Sequence, residues 1–342
     1  MNSDELVKTA QAMMAPGKGL LAMDESNPTC NRRFAALNIP QTPEMRRAYR
    51  DLIVMTPGLG DYISGAILFD ETIRQKTNTG TDFADALQQA GIIPGIKVDM
   101  GAKELAAFPG EKITEGLDGL PSRVREYVKM GARFAKWRAV ITIGDGIPTA
   151  GCIDANAHTL ARYAAICQDG GLVPIVEPEV LMDGSHGLAR CASATMEVLH
   201  AVFDQLYLQR VMLEATILKP NMVLAGLSCP EQPGVDQVAD ATVTCLLKTV
   251  PAAVGGIAFL SGGQPAQAAS SRLNAMNVRW ASKMPWPLTF SFSRAIQKPA
   301  LDIWSGKEAN VPAAQQALLH RARCNSQARQ GRYQPELEKP VS

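Results

Sequence analysis

Eight short apolar runs, separated by stretches with helical composition, constrain this chain more than any other feature. They are Gly19–Met23, Ile63–Phe69, Ile93–Val98, Phe134–Ile143, Leu172–Val176, Ala215–Leu218, Val254–Leu260 and Leu288–Phe292. Their interval is roughly 30–45 residues, about what one strand–helix unit needs. Most are continuously apolar rather than alternating, the pattern of parallel strands covered on both faces. Helices are expected between them: Pro43–Met55 behind the capping residue Thr42, then Thr81–Ala90, Ser122–Met130, Ala155–Gln168, Ala189–Leu208, Val235–Leu247 and Gln264–Met276. A last surface helix is expected over Val311–Arg329, and the polar chain beyond Gly331 is expected to fray. No break rich in Pro, Gly or Ser divides the middle. The economical reading is one α/β domain over residues 1–342. It is a (β/α)8 TIM barrel with strands from about 19 to 293, an N-terminal helix, and a C-terminal helix plus tail over 311–342. A doubly wound sheet is the alternative; eight evenly spaced units suit closure better.

Composition removes several function classes. A chain of 342 residues with net charge +1 carries no basic field for nucleic acid or a membrane surface. No apolar run reaches transmembrane length. The start, Met1-Asn2-Ser3-Asp4-Glu5-Leu6, is acidic and resembles neither a signal nor a transit peptide; Asn2-Ser3-Asp4 reads as a helix cap. Met13-Met14 on that first helix reads as core packing. The seven cysteines are odd in number and form no C-x-x-C, which points to reduced thiols and a cytoplasmic location. The one Asn-x-Ser/Thr match, Asn27-Pro28-Thr29, is blocked by its proline.

Within the apolar runs stand three lysines. Lys219 ends Glu214-Ala215-Thr216-Ile217-Leu218 and precedes Pro220; Lys97 lies in Gly95-Ile96-Lys97-Val98-Asp99; Lys136 lies in Phe134-Ala135-Lys136-Trp137-Arg138. A charge there is costly unless it is paired, binds an anion or loses its proton. A lysine beside other cations in a dry pocket becomes a nucleophile toward carbonyls, so imine chemistry on an anionic substrate is the leading hypothesis. A neutral amine near pH 7 needs a shift of roughly three units from about 10.4, about 4 kcal/mol.

In a barrel, catalytic groups stand at the C-terminal strand ends. The ends here read Asp24-Glu25-Ser26, Lys97-Val98-Asp99, Lys136 with Arg138, Glu177-Pro178-Glu179, Lys219, Ser261-Gly262-Gly263 and Ser291-Phe292-Ser293-Arg294. Any one of these could be a structural ion pair; taken together they predict one polar mouth. The strand–turn–helix Phe259-Leu260-Ser261-Gly262-Gly263-Gln264 suits a phosphate, with Arg294 in the next unit. Metal ligation is not expected. The four histidines, His158, His186, His200 and His320, are scattered, with no His pair at helical ligand spacing. His200 and His320 read as surface or cap residues and His186 as a loop residue.

These strings resemble the class I fructose-1,6-bisphosphate aldolases. The match includes Gly19-Leu20-Leu21-Ala22-Met23-Asp24-Glu25-Ser26, Val176-Glu177-Pro178-Glu179 and Leu218-Lys219-Pro220-Asn221-Met222, and runs in order from about Ala15 to Tyr333. The resemblance implies reversible retro-aldol cleavage of fructose 1,6-bisphosphate to the two triose phosphates through a lysine Schiff base, in glycolysis, gluconeogenesis or carbon fixation. It implies Lys219 as the Schiff-base lysine and Glu177 as general acid/base. Asp24 would accept the C4-hydroxyl proton, Lys136 would be the neighbouring cation, and Glu179 and Arg138 would form a supporting network. Ser261, Gly262, Gly263, Ser293 and Arg294 resemble one phosphate site, and Ser26, Thr29 and Lys97 the other. Arg46 matches an arginine near substrate. No metal or cofactor is implied, and a cytoplasmic homotetramer is. Alternatives are a related Schiff-base lyase favouring sedoheptulose 1,7-bisphosphate, or a non-catalytic barrel scaffold.

Three positions depart from the family pattern. Ser293 stands where glycine is expected and Arg32 where lysine is usual, and the chain ends Pro340-Val341-Ser342 without a terminal tyrosine. Tyr333, the only tail tyrosine, reads as packing.

Overall fold

The computed structural model describes residues 3–339. Eight parallel strands close into a barrel in chain order. They are β1 (Gly19–Ala22), β2 (Ile63–Leu68), β3 (Ile93–Lys97), β4 (Phe134–Ile141), β5 (Val173–Val180), β6 (Ile217–Leu218), β7 (Gly256–Phe259) and β8 (Leu288–Phe292). Closure runs through the β1–β8 pair, Leu20 with Ser291 and Leu21 with Phe292. The expected (β/α)8 barrel is the observed fold. Apolar strands with helices outside bury both faces, so each run can be apolar throughout.

Alternation along the strands sorts side chains between two cores. Leu20, Ala22, Ile67, Phe134, Val173, Ile175, Ile217 and Ala258 fill the barrel interior with Leu6, Ala10 and Met13 from helix Ser3–Met13 and with Met14 just past its end. That helix plugs the N-terminal end, which accounts for the methionine pair. Space inside is tight: a Cβ on Gly95 would come within 2.2 Å of the Phe134 ring. Odd-numbered neighbours such as Leu21 and Met23 face the surrounding helices.

Helix starts follow the sequence cues. The Thr42 hydroxyl accepts from the Met45 amide at 3.3 Å before Pro43–Val54, and Thr149 accepts from Cys152 at 3.2 Å before Ala150–Asp169. Val311–Arg329 is helical as expected.

Several expectations need correction. β6 is only Ile217–Leu218, because Leu213–Ala215 is wound into a 3-10 helix. β5 does not stop at Val176 but continues to Val180, carrying Glu177 and Glu179 inside the strand. Helices Asn27–Ala35 and Arg294–Trp304 and the hairpin pairing Ala102–Glu104 with Lys112–Thr114 were not anticipated. Between Gly331 and Lys339 the described chain does not fray: Tyr333 is buried and Pro335–Glu338 forms a 3-10 helix, while residues 340–342 lie outside the described residues. The proposed cap at Asn2 lies outside the described residues.

Candidate active site

Strand parity builds the site. Residues two and four beyond an interior side chain share its direction, and at the C-terminal end they reach the mouth. Asp24 continues Leu20 and Ala22; Lys136 and Arg138 continue Phe134; Glu177 and Glu179 continue Val173 and Ile175; Lys219 continues Ile217. The register sets Lys97 beside Lys136. All of them line a cavity of about 870 Å³ at the mouth.

Its floor is a chain of charges. Lys219 Nζ lies 3.2 Å from Glu177 Oε1, Glu177 Oε2 lies 2.9 Å from Lys136 Nζ, and Lys136 Nζ donates to Asp24 Oδ2 at 3.0 Å. All four residues are buried. Burial opposes ionisation of Asp24, yet Lys136, then Lys219 and Lys97, hold its carboxyl well below the usual range. Glu177 is likewise lowered against burial by Lys136, Lys219 and Arg138. Burial would strip Lys136 of its proton, but Asp24 and Glu177 outweigh it and hold the ammonium above the ordinary lysine range. Lys97 pairs with Asp99 at 2.7 Å. Arg138 Nε donates to Glu179, and Glu179 and Glu177 raise Arg138 against burial.

Two polar regions flank this floor. On one side are Ser261, Gly262 and Gly263 after β7, with Ser291 near the end of β8 and Ser293 and Arg294 just beyond it. Gly262 and Gly263 adopt φ of 58° and 93°, left-handed values that favour glycine. A Cβ on Gly263 would come within 3.0 Å of the Arg294 guanidinium, so that guanidinium lies against the turn. Ser291 Oγ is buried with no hydrogen-bond partner. On the other side, Ser26 Oγ donates to Thr29 Oγ1 at 3.1 Å at the start of helix Asn27–Ala35, with Arg32 at 3.4 Å from the same Thr29 oxygen. Each region combines a turn with a helix start, an arrangement that suits an anion.

Arg46 is not among the residues at the mouth. It is buried against Glu71, to which it donates at 2.7 and 2.6 Å, and it also reaches Asn31. Glu25, which the sequence places at the polar end of strand one without a role of its own, turns out to be the centre of a second charge cluster. Arg33 approaches it at 2.7 Å and Arg50 at 2.7 Å, and Ser293 Oγ donates to it at 2.5 Å. Arg50 first and then Arg33 hold Glu25 down to about 2 against burial. Ser293, the departure from glycine, thus ties β8 to the strand-one end. The signal was present in Glu25's place at a strand end, but its partners lie on separate helices. Also missed was the i, i+4 spacing of His320 and Cys324, since only His–His and Cys–Cys spacings were weighed.

A closed barrel whose strand ends bring lysines and carboxylates together in one cavity is the arrangement of a barrel enzyme. The family model "Fructose-bisphosphate aldolase class-I" matches residues 5–342. The chain is 54% identical over 334 residues to the "Probable fructose-bisphosphate aldolase class 1" of Xanthomonas axonopodis pv. citri, covering 97% of this chain and 99% of that one. It is 51% identical to "Fructose-bisphosphate aldolase 6, cytosolic" of Arabidopsis thaliana, covering 98% and 93%. A solved fructose-bisphosphate aldolase from Plasmodium falciparum, crystallised with TRAP and a small-molecule inhibitor, superposes with a TM-score of 0.95 at 48% identity, covering 97% and 95%. The chain belongs to the class I fructose-bisphosphate aldolases and is an enzyme of that class. Sugar phosphates are accordingly its class of substrate. Among the described residues, no helix is long and apolar enough to cross a membrane.

Proposed function

We propose that this aldolase cleaves fructose 1,6-bisphosphate through an imine on Lys219. The observation that carries the reading is the unbroken buried series Lys219–Glu177–Lys136–Asp24, with contacts of 3.2, 2.9 and 3.0 Å. Glu177, in contact with Nζ, takes a proton as the amine attacks the C2 carbonyl. It returns that proton to the carbinolamine hydroxyl, which leaves as water. The protonated imine then draws electrons from the C3–C4 bond. Asp24, ionised under its cations, accepts the C4-hydroxyl proton as that bond breaks and the aldehyde departs. The enamine is protonated at C3, and water releases dihydroxyacetone phosphate. Lys136 remains charged throughout and stabilises the carboxylates and developing oxyanions. Glu179 and Arg138 hold the wall beside it.

Ser261, Gly262, Gly263, Ser291, Ser293 and Arg294 hold the phosphate on C1. Ser26, Thr29 and Lys97 hold the phosphate on C6. Arg46 acts through Glu71 and Asn31 rather than on substrate. The chain works as one barrel unit, in the cytoplasm and as a homotetramer, in the pathways the resemblance implies; light scattering on the purified protein tests the assembly. Borohydride added with dihydroxyacetone phosphate should leave a stable adduct on the Lys219 peptide. An adduct on Lys136 or Lys97 instead overturns the assignment.

A further inference from the structure

We propose that His320, Cys324 and Glu338 form a zinc site that staples the C-terminal turn to the last helix. His320 and Cys324 are four residues apart on helix Val311–Arg329, so both present ligand atoms on one face. Cys324 Sγ lies 3.7 Å from His320 Nε2. Two ligands on one tetrahedral zinc, at about 2.3 Å for sulfur and about 2.0–2.1 Å for nitrogen, stand about 3.6 Å apart. The pair is already at that separation. The 3-10 helix Pro335–Glu338 folds back over this face and brings in a carboxylate oxygen, and all three ligand atoms lie within 4.8 Å of one another. Thiolate, imidazole and carboxylate together are a borderline-soft donor set that suits zinc rather than magnesium or calcium.

The surroundings fit the role. Arg321 and the Tyr333 hydroxyl both donate to Glu338 Oε1, the latter at 2.9 Å. This leaves Oε2 for a metal and gives the ligating carboxylate the outer hydrogen bonds such ligands usually have. Cys324 is buried while His320 and Glu338 are half-buried, so water completes the fourth position. None of the three lines the mouth cavity, so the metal stands apart from the carbon–carbon chemistry.

Full-length protein, stripped of metal and kept reduced, is titrated with zinc against a chromophoric competitor. One tight equivalent per chain is expected. Cys324→Ser and His320→Ala should each weaken it by at least about tenfold, since losing even an outer partner of a bound metal costs that much. Glu338→Gln should weaken it by a smaller factor. Cobalt(II) in place of zinc should give a thiolate charge-transfer band that Cys324→Ser abolishes. Wild-type turnover in each variant shows that the barrel is intact. Absence of a stoichiometric equivalent sinks the proposal. So does uptake, or a cobalt band, that is unchanged in Cys324→Ser or His320→Ala, because the metal then sits elsewhere.

Discussion

Glu177 is shared between two lysines, and that sharing defines what its replacement does. One oxygen faces Lys219 and the other faces Lys136. Glutamine keeps the size and removes the proton-transferring oxygen. Glu177→Gln is expected to slow turnover by about 10²–10⁴, the range for loss of a positioned acid/base. Inhibition by inorganic phosphate should hardly change, because the phosphate-suited turns are untouched. Unchanged turnover would move the role to Glu179, which the structure commits to Arg138. Much of this site was legible as residues. An ionisable group two positions past an apolar interior residue, at a strand end, has few places to point but the mouth; Asp24 and Lys219 both read that way, and Lys136 has the same parity inside β4. Glu25 has the opposite parity. Its meaning lies in Arg33, Arg50 and Ser293, contacts that no periodicity announces.

At the level of elements, the C-terminal turn shows where a sequence misleads. Pro335–Glu338 is polar, and a polar tail reads as free chain. It docks because Arg321, buried on the last helix, supplies a partner for Glu338, and because Tyr333 fills a gap beside Asn274. The short β6 is a similar case: the apolar run Ala215–Leu218 reads as a strand, but Ala215 is taken into the 3-10 helix Leu213–Ala215. Deleting Gln334–Ser342 removes Glu338 and leaves Arg321 its bonds to Ala266, Ala295 and Ser270 at 3.1, 3.2 and 2.8 Å. The expected loss of stability is about 1–3 kcal/mol, the cost of uncovering one side of a buried charged group. Turnover should change by less than about threefold, under ~1 kcal/mol of barrier, because residues 334–342 include no tyrosine and none of those described lines the mouth cavity. A urea midpoint and a steady-state rate on the truncation test both; a large rate loss with stability retained would assign catalytic work to the tail.

At the scale of the molecule, the barrel gathers five buried carboxylates, Asp24, Glu25, Asp99, Glu177 and Glu179, around its mouth, and acid stability follows from that. Eight apolar runs made closure legible, while the helices Asn27–Ala35 and Arg294–Trp304 that frame the mouth were not, because Pro28 and Pro299 look like breaks. Those helices and Pro43–Val54 supply the groups around Glu25. Its folded-state pKa of about 2 lies below its ordinary value of 4.5. The unfolded chain therefore takes up a proton first as pH falls, and stability rises with pH across this window. The contribution of Glu25 is fully present above about pH 4.5 and is lost as pH drops toward about 2. Glu25→Gln leaves Arg50 buried without its charge partner, which costs roughly 3–5 kcal/mol near neutral pH. Because the variant cannot lose a proton it does not have, the gap between it and the wild type should narrow as pH is lowered from about 4.5 toward about 3. Urea midpoints of both proteins at neutral pH, at pH 4.5 and at pH 3 measure that gap. A gap that stays constant through the window would mean that Glu25 holds Arg50 by shape and hydrogen bonding, with no proton linkage.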